Sequence, residues 1–305
     1  SDNGRRVVGV EAARADGTRF RVRAGTVVLA AGGIENPRLL LLSDAVHRHG
    51  LGNERDVVGR YFMDHPVVRL GEVGLVHAGG MMNTFSPGMV RQRGHRLRGM
   101  LRPTRRAQEE GAFLNSLVIF RAKNELPTLG EAVLSLARQT RELVEEPPSP
   151  RDRQRSYRAN LELVSEPVPD PENRVRLGEE RDALGLRRAA LAWRLTEREV
   201  ANFRAVAERL TRSLGEALRG RVRLLMTEED PWARARWSNH HIGTTRMDPD
   251  PARGVVDLDC RVHGVAGLYV AGSSVFPTAG VSNPTYTLIA LTLRLADHLK
   301  AGVLP

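Results

Sequence analysis

Short apolar runs separated by turn-forming residues make up the first part of the chain. Apolar and polar residues alternate in segments 5–13 and 18–24, and Asp-Gly at 16–17 lies between them. This pattern predicts a two-stranded hairpin. Segment 26–33 is continuously apolar and ends in small residues, which is typical of a buried strand that runs into a tight turn.

A helix is predicted directly after this strand. Residues 34–43 contain four consecutive leucines, which supply an apolar face. Asn36 is a favourable N-cap residue, and Pro37 suits the first helical turn because that turn needs no N–H donor there. We therefore expect the helix to begin at Asn36.

From about residue 67 to 230 the pattern is mixed. Residues 129–146 predict a helix, and residues 196–219 predict an amphipathic helix that begins with a capping box of Thr196 and Glu199. The segments that predict strands are 67–77, 111–120, 159–167, 173–177 and 189–195. Another helix is predicted at the C-terminal end, after Asn283-Pro284.

Composition excludes several classes of protein. No run of about 18 apolar residues occurs, so no transmembrane segment is expected. The formal net charge is +10, but only Lys123 and Lys300 are lysines, and the many arginines alternate with acidic residues along the chain. No nucleic-acid-binding module accompanies this charge, so no nucleic-acid partner is expected. Cys260 is the single cysteine, which excludes a disulfide framework and any multi-cysteine metal site.

The pair His240-His241 is the most reactive feature of the sequence. Neighbouring residues on a strand face opposite sides, so at most one of the two rings can face a given site. A lone histidine is often only a structural residue, and that interpretation stays open here. Glycine and two threonines follow at 243–245, which gives close backbone approach and hydroxyl partners. Metal binding by His240, His241 and His263 is a further alternative, although no carboxylate lies at ligand spacing.

Two other features have both a structural and a functional interpretation. Small residues at the end of segment 26–33 allow a cofactor to approach closely, or simply form an ordinary strand-to-helix turn. Asn283 and Pro284 start a helix, and the N-terminus of a helix also has free N–H groups and positive potential.

Three segments together resemble the glucose–methanol–choline oxidoreductases, which are flavoenzymes that oxidise alcohols. They are TVVLAAGGIENPRLLLLS at 26–43, SNHHIGTTRM at 238–247 and GLYVAGSSVFPTAGVSNPTYTLIALTLRLADHL at 267–299. The forms HHIGTTRM and SNPTYT look most like the branch that holds pyranose oxidase and related sugar or polyol dehydrogenases. The resemblance implies FAD as cofactor and an alcohol or sugar as substrate. It leaves oxygen, a quinone or a redox protein open as electron acceptor.

The resemblance also implies roles for individual residues. His240 falls on the family's catalytic histidine, and Asn283 falls on its second active-site residue. Asp64 and His65, in RYFMDHP, are interpreted as structural by the same analogy. The positions implied to lie at the flavin are Gly32, Gly33, Gly272, Ser273, Pro284 and Thr285, and no metal site is implied.

The fold expected is mixed α/β, with a partial, discontinuous Rossmann-like FAD-binding domain. Residues 1–66 and 231–305 form that domain, and residues 67–230 form an inserted substrate domain of β-sheet flanked by helices. The family's G-x-G-x-x-G motif is lacking, so we expect the C-terminal portion of a longer enzyme. Two alternatives remain: a non-catalytic scaffold or interaction module that binds no flavin, and a metal-assisted hydrolase.

Overall fold

The structure is a computed structural model that describes residues 1–75, 85, 90–111, 113–122, 157–218, 221–224 and 235–302. The strands are β1 (Gly9–Ala13), β2 (Arg19–Arg23), β3 (Val27–Leu29), β4 (Pro66–Leu75), β5 (Val90–Gln92), β6 (His95–Leu97), β7 (Ser116–Ala122), β8 (Tyr157–Ser165), β9 (Arg174–Arg181), β10 (Arg187–Ala192), β11 (Arg221–Leu224), β12 (Arg236–Trp237) and β13 (Leu268–Val270). The helices are α1 (Gly32–Leu42), α2 (Arg105–Gly111), α3 (Glu197–Leu218) and α4 (Thr285–Gly302), with a 3-10 turn at Ser273–Val275. Strands and helices are mixed along the chain, as predicted. The helix predicted at 129–146 lies outside the described residues.

The chain divides into two compact units. The first unit comprises Ser1–His65, Glu166–Glu199 and Trp237–Pro305, and the second comprises Pro66–Ser165 and Val200–Arg236. By their contacts, residues 166–199 group with the first unit. Arg38 of α1 explains this assignment, because its guanidinium pairs with Asp182 at 2.6 Å and with the Arg187 carbonyl at 2.8 Å.

In the first unit, β1 and β2 form the predicted antiparallel hairpin. β3 pairs in parallel with β13, so both strands end at the same edge of this small sheet. The apolar run predicted that β3 would be buried, and this prediction is wrong in part. Val28, at the centre of the strand, is 39% exposed. β13 is the only strand that pairs with β3 among the described residues, which leaves β3 with partly open surfaces.

Helix α1 begins earlier than predicted. It starts at Gly32, so Asn36 and Pro37 lie inside the helix rather than at its first turn. Gly32 has φ +84°, which is the left-handed region that glycine adopts without strain. The buried Asn36 side chain still accepts a hydrogen bond from the Ala31 N–H, at 2.7 Å. Asn36 therefore satisfies the helix N-terminus from within the helix, a geometry that the cap rule does not anticipate.

In the second unit, four strands form an antiparallel sheet in the order β11-β4-β8-β7, and β12 also pairs with β4. β5 and β6 form a separate antiparallel pair. Alternation along β4, β7 and β8 places one side of each of these strands in the core. The buried members include Val68, Leu70, Phe120, Leu161 and Leu163. Burial of each such side chain contributes about 1.5–3 kcal/mol.

The capping box predicted for α3 is confirmed. The Thr196 N–H donates to the Glu199 carboxylate at 2.6 Å, and the Glu199 N–H donates to the Thr196 hydroxyl at 3.3 Å. Glu199 is buried, and its burial raises the pKa of the carboxyl group. The predicted apolar face is also confirmed at Phe203, Val206 and Leu214, which are buried.

Candidate active site

Asp64 fixes the backbone that carries His240. Its carboxylate is buried, with one oxygen accepting the Asn239 N–H at 3.0 Å and the other accepting the His240 N–H at 2.9 Å. Asn239 has φ +59°, a left-handed conformation that asparagine tolerates better than most residues. Two charge-assisted hydrogen bonds to one buried carboxylate hold this turn in place.

His65 contacts the ring of His240 directly. The Nδ1 atoms of the two imidazoles are 2.9 Å apart, and the rings meet edge-on with an interplanar angle of 84°. The other nitrogen of His65, Nε2, lies 3.0 Å from the carbonyl oxygen of Gly280. His65 is only 1% exposed, and this burial lowers the pKa of its imidazole. The ring is therefore held on both sides and favours the neutral form.

One nitrogen of His240 remains available. The side chain is half-buried, and its Nδ1 is engaged by His65. In the part of the chain that the structure describes, Nε2 of His240 forms no hydrogen bond. An imidazole held at one nitrogen and open at the other is suited to accept a proton from a bound hydroxyl.

The histidines proposed as a metal site do not come together. Across the described residues, the one group with metal-ligating geometry is Asp64, His65 and His240, whose candidate atoms lie within 4.8 Å of one another. His263 instead pairs with the Asp248 carbonyl at 2.9 Å, and the ring of His241 packs near Phe62. In the Asp64 group, both carboxylate oxygens accept backbone N–H groups and the two Nδ1 atoms lie at hydrogen-bond distance. The group is therefore satisfied as a hydrogen-bonded cluster without an ion.

Gly32 and Gly272 follow β3 and β13, so both lie at the edge where these parallel strands end. Gly272 has φ +119°, and a Cβ at either glycine would meet no atom closer than 4.0 Å. Ligands of α/β sheets bind at the carboxyl ends of the strands, and bare backbone allows a large group to approach. This edge fits a flavin cofactor on geometric grounds.

Gly33 and Ser273, also predicted at the flavin, are engaged within the protein. A Cβ at Gly33 would lie 2.5 Å from the carbonyl oxygen of His241, so this glycine permits a close backbone contact. The Ser273 hydroxyl donates to the same carbonyl, at 2.7 Å. For both residues the structure supplies a protein partner, and contact with a cofactor stays a prediction.

Asn283, Pro284 and Thr285 lie at the start of α4. The helix begins at Thr285, and the Pro284 carbonyl accepts the first helical N–H, from Leu288, at 2.8 Å. Pro284 is therefore the N-cap. The Asn-Pro pattern had predicted Asn283 as the N-cap and Pro284 as the first helical residue. Asn283 and Thr285 are exposed. Within the described ranges no hydrogen bond joins Asn283 to His240. The connection between them is indirect: His65 contacts both His240 and the carbonyl of Gly280, which lies three residues before Asn283.

The sequence interpretation missed the part that Asp64 and His65 play at this site. Both were interpreted as structural, yet one holds the backbone of His240 and the other its ring. A signal was present in the sequence. An adjacent acid and histidine precede a proline in RYFMDHP, at the expected crossover between domains, but no local pattern connects them to a residue 175 positions away.

Comparison with protein families gives two matches. The GMC oxidoreductase family is matched by its N-terminal domain over residues 1–67 and by its C-terminal domain over residues 169–292. Together these matches cover more than half of the chain. They include every residue predicted to act in catalysis or at the flavin.

Curated proteins and solved structures give concordant results. The chain is 29% identical to the fructose dehydrogenase large subunit of Gluconobacter japonicus, over 93% of this chain and 48% of that protein. It is 26% identical to 2-methyl-1,2-propanediol dehydrogenase of Mycolicibacterium austroafricanum, over 93% of this chain and 49% of that protein. The chain thus spans about half the length of these relatives.

Among solved structures, the chain superposes on pyridoxine 4-oxidase from Mesorbium loti with a TM-score of 0.60 and 20% identity, over 97% of this chain and 55% of that one. It also superposes on formate oxidase, with a TM-score of 0.56 and 22% identity, over 99% of this chain and 59% of that one. These likenesses confirm the mixed α/β fold. None of the helices in the described residues is both long and apolar enough to cross a membrane.

Proposed function

Because this chain belongs to the GMC oxidoreductase family, which is FAD-dependent, we propose that it carries the proton-abstracting part of a site that oxidises a CH–OH group of a sugar or polyol. The named relatives that act on fructose and on a propanediol support a hydroxylated small molecule as substrate. The electron acceptor is left open in this proposal.

The observation that carries the proposal is the restraint on His240. Its backbone N–H is held by Asp64 and its Nδ1 by His65, while Nε2 is open. Oxidation of an alcohol removes the hydroxyl proton and a hydride from the adjoining carbon, and loss of the proton makes the hydride easier to remove. His240 accepts that proton at Nε2, a step for which imidazole is suited at neutral pH.

Asn283 is proposed as the second polar group at the substrate oxygen. Its carboxamide can donate an N–H to the oxygen as negative charge develops there. The loop that precedes it is held near the histidine pair, because the Gly280 carbonyl contacts His65 and the Gly280 N–H donates to the Glu166 carboxylate at 3.1 Å. This arrangement supports, by proximity along the loop, a shared substrate for Asn283 and His240.

The residues proposed to hold FAD are those at the strand edge and at the start of α4. Gly32 and Gly272 offer bare backbone, and Pro284 and Thr285 lie at the helix N-terminus, where partial positive charge favours an electron-rich group. When bound, FAD supplies the acceptor for the hydride. Gly33 and Ser273 are proposed to lie at the flavin as well, and both also contact the His241 carbonyl.

The test is the rate of flavin reduction by substrate in single turnover, measured on the full-length protein in its flavin-loaded form. His240→Ala should lower the rate constant by about 10²–10⁴-fold, because general base catalysis is lost. His49→Ala removes an exposed imidazole outside the cluster and should leave the rate unchanged. Asn283→Ala should lower the rate constant by about 10²–10³-fold if its amide is a preorganised donor.

Two results would contradict the proposal. An unchanged reduction rate in His240→Ala would remove this residue as the base. Full-length protein that purifies without flavin and takes up none on incubation with FAD would instead favour the non-catalytic scaffold.

A further inference from the structure

We infer that His65 is a positioning residue that fixes the tautomer of His240, leaving Nε2 of His240 unprotonated and ready to act as a base. This inference rests on the proposed function of His240. It assigns a role to a residue that the sequence suggested was only structural.

The first step concerns the contact between His65 and Gly280. A backbone carbonyl oxygen only accepts hydrogen bonds, so the nitrogen that lies 3.0 Å from it must carry the proton. The Nε2 atom of His65 is therefore an N–H donor. The backbone at Gly280 is itself anchored, since its N–H donates to Glu166.

The second step concerns the charge of His65. A neutral imidazole carries one N–H, so a neutral His65 that donates from Nε2 has a bare Nδ1. Neutrality is favoured because the ring is 1% exposed, and burial penalises the charged form. The ionisable side chains that face it are Asp64, which favours the charged form, and His240, which opposes it. Burial is the largest of these influences on the pKa, and it lowers it.

The third step follows from the 2.9 Å contact between the two Nδ1 atoms. Since Nδ1 of His65 has only a lone pair, Nδ1 of His240 must carry the proton in this hydrogen bond. Neutral His240 then has its own lone pair at Nε2. The hydrogen bond persists after His240 accepts a proton, because Nδ1 still carries its hydrogen in the imidazolium. The buried Asp64 carboxylate, close to both rings, stabilises that positive charge.

A protonated His65 would reverse this arrangement. Both of its nitrogens would then be donors, and Nδ1 of His240 would have to accept. Neutral His240 would carry its proton at Nε2 and could not act as a base there. A neutral His65 is thus required for the reactive tautomer.

Two substitutions of similar polarity test the contacts of the two His65 nitrogens one at a time. His65→Asn places an amide oxygen near the position of Nδ1 and can still accept from His240. His65→Gln places its amide near the position of Nε2, where it can donate to Gly280, and lacks the acceptor at Nδ1. We expect His65→Asn to keep the rate of flavin reduction within a few-fold of that of the unsubstituted protein. His65→Gln should lower this rate by about 10- to 100-fold, which is the effect of losing the residue that orients a metal-binding imidazole.

The tautomer itself can be measured without turnover. In full-length protein labelled with ¹⁵N-histidine, long-range ¹H–¹⁵N correlation spectra distinguish protonated from bare ring nitrogens. The His240 signals are identified by their loss in His240→Gln. We expect protonated Nδ1 and bare Nε2 at His240 in the unsubstituted protein and in His65→Asn, with mixed tautomers in His65→Gln.

The inference is overturned by protonated Nε2 at neutral His240 in the unsubstituted protein, a result that needs no folded variant. Equal loss of activity in His65→Asn and His65→Gln would also overturn it, because a purely structural histidine would behave so. If His240→Ala reduces flavin at the normal rate while the tautomer is as expected, the proposed function fails and the positioning contact stands.

Discussion

A proline inside α1 creates a specific requirement that Thr244 meets. Pro37 has no N–H, so the carbonyl of Gly33, one helical turn earlier, lacks its usual partner. The Thr244 hydroxyl donates to this carbonyl at 2.6 Å. Both Thr244 and Gly33 are buried, so water cannot easily replace the hydroxyl.

Replacing Thr244 with valine keeps the shape of the side chain and removes the donor. The carbonyl of Gly33 would then be buried without a partner, which costs about 1–3 kcal/mol. Thr244→Ser is the matched control, because it keeps the hydroxyl and loses a methyl group, at about 1 kcal/mol. If the hydrogen bond dominates, the valine variant is the less stable of the two. If packing dominates, the order reverses.

The assay is equilibrium urea unfolding of the full-length protein, followed by tryptophan fluorescence. A further variant sharpens the result, since Pro37→Ala restores an N–H that can bond to the Gly33 carbonyl. In the Pro37→Ala background, Thr244→Val should lower the free energy of unfolding by less than it does in the unsubstituted protein. The difference between the two losses is the coupling energy of the two sites, and we expect it to be about 0.5–3 kcal/mol. An additive double variant, together with a valine variant as stable as the unsubstituted protein, would refute the reasoning.

Two further predictions concern the surroundings of the histidines. Gly33→Ala should lower the free energy of unfolding by about 1–3 kcal/mol in urea titrations, because the added Cβ would overlap the His241 carbonyl. Gly25→Ala is the control and should leave the free energy of unfolding unchanged, because no atom lies within 4 Å of its Cβ. Equal effects of the two substitutions would contradict the contact at Gly33. Because burial lowers the pKa of His65, the unfolded chain binds more protons, so stability should fall as pH drops below about 6.5, by at most about 1.4 kcal/mol per pH unit. Comparison of urea unfolding at pH 7 and pH 5.5 should show a smaller loss in His65→Asn, and an identical pH dependence would refute this.

The sequence was informative where the determinants are local. The capping box at Thr196 and Glu199 forms as predicted, because both hydrogen bonds join residues three positions apart. The hairpin around residues 16–17 also forms, although its loop has three residues rather than two. The Arg14 N–H donates to the Thr18 carbonyl, and Gly17, with φ +85°, donates its N–H to the Arg14 carbonyl at 2.9 Å. The predicted start of α1 was wrong because Asn36 also has a partner that is distant in sequence. Its side chain accepts an N–H at the helix N-terminus, but it does so from inside the helix, where it also donates to the Ala271 carbonyl at 3.3 Å.

The burial of β3 could not be read from its composition. An apolar run predicts burial only if other elements cover it, and Val28 remains 39% exposed beside its one partner strand in the described residues. The assignment of 166–199 to the first unit likewise depends on long-range contacts. Arg38 meets Asp182 across 144 positions of sequence, and neither residue stands in a pattern that indicates the other.

The histidine cluster shows why a structural and a functional interpretation of one residue need not compete. Imidazole has two nitrogens, so the reactivity of one depends on what the other contacts. For His240 that contact is His65, and the chemistry of His65 is in turn set by its burial and by the Gly280 carbonyl. A residue that is buried, neutral and fully hydrogen-bonded has every mark of a structural histidine. Those properties are also the ones that the proposed base, His240, requires of its neighbour. The structural interpretation of Asp64 and His65 is therefore compatible with the proposed part of both residues in the site.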